Sequence, residues 1–261
     1  LPNNLHVDWT LRSVEAGKHV LCEKPIGMDA ADAARLKAVA GRRLVAEAFM
    51  VRFHPQWLRA RELIRAGAVG EVRAVQVFFS YDLRDPHNIR NKPETGGGGL
   101  LDIGCYAVVS GRFAFETEPQ RVVSLIERDS AFGTDRLSSA IADFGAGRQL
   151  TFTVSTQLVP HQRVTIAGTR GRIEILIPFN APQMQETRIL IDDGSGLGNA
   201  SAKEEALPPS DQYAEQADAF ARAVLGETEL PYGIDDAIRN MQILDAIFRS
   251  EQSGRWESTG L

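Results

Sequence analysis

"KHVLCEKPIGMDAADAARLKAVAGRRLVAEAFM", Lys18 to Met50, decides how the chain begins to fold. Its two ends, "HVLCEKP" and "RLVAEAFM", are short apolar runs of strand length. Between them Asp29 can cap a helix, Asp32 falls in its first turn, Leu36 and Val39 point inward, and Gly41 ends it. A strand, a helix and a strand at this spacing predict two parallel strands joined by a right-handed crossover. Upstream, Val7, Leu11 and Val14 have helical spacing, and Gly17 closes that helix.

Beyond residue 52 the pattern changes. A helix is predicted from about Pro55 to Arg65, stopping at Gly67, and strands follow. "VRAVQVFFSYD" reads as apolar on both faces, like a strand covered on each side. "QLTFTVST" alternates, with Leu150, Phe152 and Val154 on one side. "RVTIAG" and "GRIEILI" flank a tight turn at Thr169–Gly171, a hairpin. Residues 192–210 read as a mobile polar loop. Two helices close the chain, one with the stripe Tyr213, Ala217, Phe220 and Val224, the other with Ile234, Ala237, Met241, Leu244 and Phe248. The expected class is α/β plus α+β. An α/β unit spans 1–52. Over 53–261 follows an α+β unit with a large, mostly antiparallel open sheet, covered by helices on one face.

The chain has 261 residues, 43% hydrophobic and 24% charged, which is the balance of a globular protein. No apolar run approaches the length of a membrane span. A formal charge of −5 gives no basic footprint for nucleic acid. Two cysteines, Cys22 and Cys105, read as free thiols of a reducing cytoplasm rather than a disulfide scaffold.

The chemistry gathers around "GGGGLLDIGCY", Gly96 to Tyr106. The glycine run is neither a dinucleotide fingerprint, since no G-x-G-x-x-G occurs, nor a P-loop, since no Lys-Ser/Thr follows. It reads as a flexible loop or as a place of close backbone approach. Asp102 and Tyr106 are four apart and share a helix face. An acid and a phenol at a glycine-lined space suit proton transfer, provided a cation lowers the phenol's pKa. Lys24, at the carboxyl end of the first strand, supplies that cation, and Glu23 can orient it. The Lys24–Pro25 bond is a candidate for the cis form. Taken singly, the Glu-Lys pair and the Asp/Tyr pair also read as ordinary surface features. "PNNLH" precedes a helix, where Asn side chains and backbone N–H groups can bind a ribose or phosphate or simply cap. His87, Arg90 and Lys92 precede the glycines and suit a polyol. No His/Cys/Asp/Glu spacing suggests a metal, and no G-x-S-x-G suggests a serine hydrolase.

"PNNLH…AGKHVLCEKP", "RFHP", "NIR…GGGGLLDIGCY" and a later "Y…Q…F", in this order, resemble the glucose–fructose oxidoreductase, inositol dehydrogenase and rhizopine-catabolism (Gfo/Idh/MocA) family. The resemblance implies an NAD(P)-dependent oxidoreductase of sugars, polyols or cyclic diols. Such a protein has a Rossmann-type parallel sheet, of which residues 1–52 would be the C-terminal part. It implies a substrate-binding and dimerisation domain at 53–261, with the open sheet joining two copies into a homodimer or higher homo-oligomer. It implies Lys24, Asp102 and Tyr106 as catalytic residues. Pro2, Asn3, His6, Glu23, Lys24 and Arg52 would lie along NAD or NADP, and Arg90, Asp102 and Tyr106 against substrate. Many inositol dehydrogenase relatives carry His where this chain has Tyr106, which favours an aldose or a cyclic diol. The family's first strands and Gly-rich turn precede "PNNLH" and are absent from these residues. The chain is therefore expected to be a truncated piece of an enzyme. The rival expectation is a relative that binds sugar or cofactor without turnover.

Overall fold

The computed structural model describes residues 1–261. Helix α1 (His6–Glu15) leads through Gly17, in the left-handed region at φ 78°, to strand β1 (Val20–Glu23). Asp29 accepts the Asp32 N–H at 2.7 Å, and Asp32 accepts the Met28 N–H at 3.1 Å, so the two carboxylates cap helix α2 (Ala30–Ala34) reciprocally. The helix then tightens into a 3₁₀ turn over Arg35–Val39 rather than running on as one α-helix. Leu36 and Val39 are buried as expected. Strand β2 (Val45–Ala48) pairs with β1 in parallel, Cys22 opposite Glu47.

Helix α3 (Pro55–Arg65) starts with proline in its first turn and His54 as its cap. Beyond it, the strands β3 (Val72–Asp82), β4 (Arg121–Arg128), β5 (Asp135–Asp143), β6 (Gln149–Ser155), β7 (Gln157–Gly168), β8 (Arg172–Ile175), β9 (Thr187–Asp192), β10 (Lys203–Leu207) and β11 (Glu257–Ser258) build one sheet. Its order is β10-β9-β8-β7-β3-β6-β5-β4-β11, and only the β3/β6 pair is parallel. Helices α4 (Cys105–Phe115) and α6 (Ile234–Ser253) pack on one face, where Val75, Val77, Leu150, Phe152 and Val154 are buried. Helix α5 (Gln212–Val224) packs on the 3₁₀ turn Met50–Phe53 instead.

Three expectations are corrected. Strand β3 is covered on one face only, with Arg73 and Gln76 exposed on the other, because no helix reaches the far side of the sheet. The stripe expected of α5 is mostly exposed, Tyr213 50% and Val224 37%, with only Phe220 half-buried, while Gln212, Gln216 and Ala223 are buried. The Gln212 amide donates to the Phe179 carbonyl at 2.9 Å, so a buried polar anchor sets the register that apolar spacing misreads. Residues 192–210 are not all loop. Lys203–Leu207 pairs with β9, held by the Arg188–Glu204 and Arg59–Glu205 ion pairs rather than by an apolar pattern.

Candidate active site

The carboxyl end of β1, the turn after β2, the end of β3 and the start of the helix that follows the glycines all face one cavity of about 870 Å³. The helix does not begin as a regular α-helix. Leu100–Gly104 form a π turn, and α4 proper starts at Cys105. Asp102 lies in the π turn and Tyr106 in the first α turn, and both still face the cavity.

Asp102 is the hub. One carboxylate oxygen, Oδ1, accepts from the Lys24 ammonium at 3.0 Å. The other, Oδ2, accepts from the Tyr81 hydroxyl at 2.5 Å and from Arg90 Nε at 3.0 Å. The Lys24 ammonium also donates to the main-chain carbonyl of Asp102. Burial opposes the charge on Asp102, but Lys24 and Arg90 outweigh it and hold the carboxyl below the usual range. Burial likewise opposes the charge on Lys24, and Asp102 outweighs it, so the amine stays protonated. The Lys24–Pro25 bond is cis.

Tyr106 presents its ring face to Lys24, with Nζ 5.1 Å from the centroid. Its hydroxyl lies 3.4 Å from the Met50 sulfur. Phe49, edge-on at 5.2 Å, and Phe179 at 5.5 Å complete its surroundings. Burial pushes the phenol well above its ordinary pKa, so the expected lowering by Lys24 is not met. The ammonium's charge is matched by Asp102 instead.

The other expected residues divide. Arg90 borders the cavity and is half exposed. Glu23 lies at its rim without a bond to Lys24, so the orienting role expected of it belongs to Asp102. Asn3 donates to the Gly96 carbonyl at 2.8 Å, and the buried His6 ring sits between the Pro25 and Leu1 carbonyls at 2.7 and 3.1 Å. Pro2 opens the short turn that carries Asn3. Arg52 is turned away from the cavity: it pairs with Asp236 at 2.5 Å and covers the Tyr232 ring at 4.1 Å. Its guanidinium serves an internal ion pair, apart from the cavity that Lys24, Asp102 and Tyr106 line. Sequence reasoning missed Tyr81. The available signal was a hydroxyl-bearing aromatic at the carboxyl end of an otherwise apolar strand.

The glycines are bare for the chain's own sake. A Cβ on Gly97 would lie 2.5 Å from the Arg90 carbonyl oxygen, and one on Gly96 would lie 2.8 Å from the Asn3 Cβ. Close approach is the correct reading, here to neighbouring backbone and side chains.

Residues 1–51 match the oxidoreductase family with an NAD-binding Rossmann fold, and residues 57–174 match the GFO/IDH/MocA C-terminal domain. An uncharacterized oxidoreductase of Rhizobium meliloti is 43% identical over 261 residues, 99% of this chain and 78% of that protein. The D-xylose 1-dehydrogenase (NADP(+)) 2 of Haloferax volcanii is 35% identical over 97% of this chain and 77% of its own length. Among solved structures, the aldose-aldose oxidoreductase of Caulobacter crescentus, complexed with glycerol, superposes with a TM-score of 0.90 at 27% identity, covering 98% of this chain and 77% of that one. A 3-ketoreductase of Actinomadura kijaniata, in complex with NADP and TDP-benzene, gives 0.88 at 28% identity, covering 96% and 76%. The chain belongs to the glucose–fructose oxidoreductase, inositol dehydrogenase and rhizopine-catabolism family of NAD(P)-binding oxidoreductases.

Proposed function

We propose that the site transfers a hydride between the nicotinamide of NAD or NADP and a hydroxyl-bearing carbon of a sugar, polyol or cyclic diol. The observation that carries this is the Lys24–Asp102 pair at the end of a parallel strand, with Tyr106 over the ammonium and all three on one 870 Å³ cavity. The residues present fit the nicotinamide end of the cofactor: Glu23, Lys24 and Met50 offer a carboxylate, an ammonium and an apolar surface at the carboxyl ends of the parallel strands. When bound, the nicotinamide supplies a hydride acceptor or donor at C4.

Lys24 donates to the reacting oxygen and is held in place by both Asp102 oxygens it touches, Oδ1 and the main-chain carbonyl. Tyr106 is neutral, and its weak bond to the Met50 sulfur leaves the hydroxyl hydrogen easy to re-aim. With both acids protonated, the resting site is set to give a proton to a carbonyl oxygen as that carbon gains hydride. In the opposite direction the hydroxyl proton returns to the same pair. Arg90 and Asp102 bind the neighbouring hydroxyls. Pro2, Asn3 and His6 would lie along the dinucleotide, with Asn3 tying that segment to the glycine run through the Gly96 carbonyl.

Residues 1–52 serve as part of the dinucleotide-binding domain and 53–261 as the substrate domain. The open face of the large sheet, where Leu125 is 78% and Ile141 39% exposed, suits a homodimer. No helix is long and apolar enough to cross a membrane, and both cysteines are buried free thiols, which favours a cytoplasmic site of action.

The test is NAD(P)-linked turnover by the full-length protein over a panel of aldoses, polyols and trans-diols. Lys24→Ala is expected to lower turnover by about 100-fold, the scale of acid–base assistance. Tight NADPH binding with no turnover on any member would favour the rival reading of a non-catalytic relative.

A further inference from the structure

We propose that Asp135, at the start of β5, is a positioning residue for this site: its carboxylate seats the turn that carries Asp102, and half of the glycine run is bare to admit it. The proposal rests on the hydride-transfer reading for the roles of Asp102 and Lys24. It adds a residue from a different part of the sequence.

Asp135 is 2% exposed and forms no ion pair. Its Oδ2 accepts the Leu100 N–H at 2.6 Å and the Ser138 hydroxyl at 3.1 Å. A Cβ on Gly98 would come within 2.0 Å of its Oδ1, and one on Gly99 within 3.2 Å of its Oδ2. Gly98 also has a φ of 117°, which only glycine adopts readily. The two glycines therefore leave the space that the carboxylate fills.

From there the path to the chemistry is short. Leu100 begins the π turn, and the Asp102 N–H bonds back to the Gly98 carbonyl at 3.1 Å. Lys24 binds Asp102 through both its carboxylate and its main-chain carbonyl. A shift of the turn thus moves both acceptors of the ammonium together. Displacements of about 1 Å in a reacting constellation cost on the order of 100-fold in rate. Burial raises the Asp135 carboxyl to about 7, against the lowering by the Leu100 N–H, Ser138 and Arg128. The oxygen facing Leu100 accepts its hydrogen bond whether or not the other oxygen carries a proton. An amide offers the same acceptor.

Asp135→Asn and Asp135→Ala separate this role from bulk stability. In the full-length protein, Asp135→Ala is expected to lower kcat by about 10-fold or more with KM little changed, and Asp135→Asn to stay within about 3-fold of the original. In an Asp102→Asn background the Asp135→Ala loss should shrink, since both act through one group. A second readout needs no turnover: the rate of acetylation of Lys24, followed by peptide mass. Loosening of Asp102 exposes the amine, so Asp135→Ala should speed that labelling and Asp135→Asn should not. Lys24 labelling unchanged in Asp135→Ala would overturn the proposal, as would equal kcat losses in both variants. If no variant and no parent protein turns over any substrate, only the hydride-transfer reading fails, and the labelling still decides the positioning role.

Discussion

Asp236 and Asp102 are each clamped by two cations, and they behave as different objects. Asp236 sits between Arg52 at 2.5 Å and Arg112 at 2.7 Å, and Glu118 takes the other side of Arg112. Asp102 sits between Lys24 and Arg90, each at 3.0 Å. The first clamp is closed: its arginines are 3% and 5% exposed, and aromatic faces cover Arg52. The second opens on the cavity, with Arg90 45% exposed and a phenol hydroxyl as third donor. Burial pulls against ionisation in both, and both carboxyls still lie below their ordinary range because their cations outweigh it. Electrostatics alone therefore does not mark the site. What separates them is that the guanidiniums of the first are almost wholly buried, whereas the second offers a half-exposed Arg90 and a lysine whose ammonium can share its hydrogen bonds.

The sharpest way to break this comparison is at the closed clamp. Asp236→Ala leaves two buried guanidiniums facing each other, and a loss of about 3–5 kcal/mol is expected, as for any buried pair stripped of one partner. Chemical denaturation would measure it. A loss below about 1 kcal/mol would mean that the network is solvated after all. The same kind of change at the open clamp should divide differently. Asp102→Asn is expected to lower turnover by about 100-fold, because Lys24 loses its anchoring charge. Its stability should fall by only about 1–2 kcal/mol, since Arg90 can turn to water and the buried amine can shed its proton. Equal stability losses at Asp236 and Asp102 would erase the distinction between the two clamps.

The sequence revealed these two regions unequally. Strand, helix and strand around "CEKP" were readable because Asp29 caps, Gly41 stops and the apolar runs have strand length. Lys24, Asp102, Tyr106 and Arg90 were readable as cavity residues from their motifs, and the structure places all four on one cavity. The ion pair of Arg52 was not readable, because a motif position says nothing about which way a guanidinium turns, and its partner Asp236 lies 184 residues away. Asp135 and Tyr81 were missed because their partners are distant in sequence. Each reaches from a strand to the turn that carries Asp102, Asp135 through Leu100 and Tyr81 through Asp102 itself. The stripe of α5 failed because the buried Gln212 amide, not apolar spacing, sets its register.

The finest cut through the open clamp is Tyr81→Phe, which removes one hydroxyl and keeps the ring. The Asp102 Oδ2 then holds Arg90 alone. A hydrogen bond to a charged group contributes about 1.5–3 kcal/mol, and part of that is recovered as water enters the open side of the cavity. Turnover should fall by about 10-fold or less, well short of the effect of Asp102→Asn. The pH dependence is the more telling readout. Asp102 has a depressed carboxyl pKa, so the active ionised form is present at neutral pH and is lost as pH falls through that depressed value. The Tyr81 hydroxyl is one of the groups holding it down. Without it the folded-state pKa rises, and the acid limb of the kcat profile should move to higher pH while the neutral plateau keeps its shape. Removing a group that merely packs would lower the plateau and leave the limb where it was. A stationary acid limb in Tyr81→Phe would therefore exclude the phenol from the electrostatics of Asp102, leaving Lys24 and Arg90 to hold it unaided.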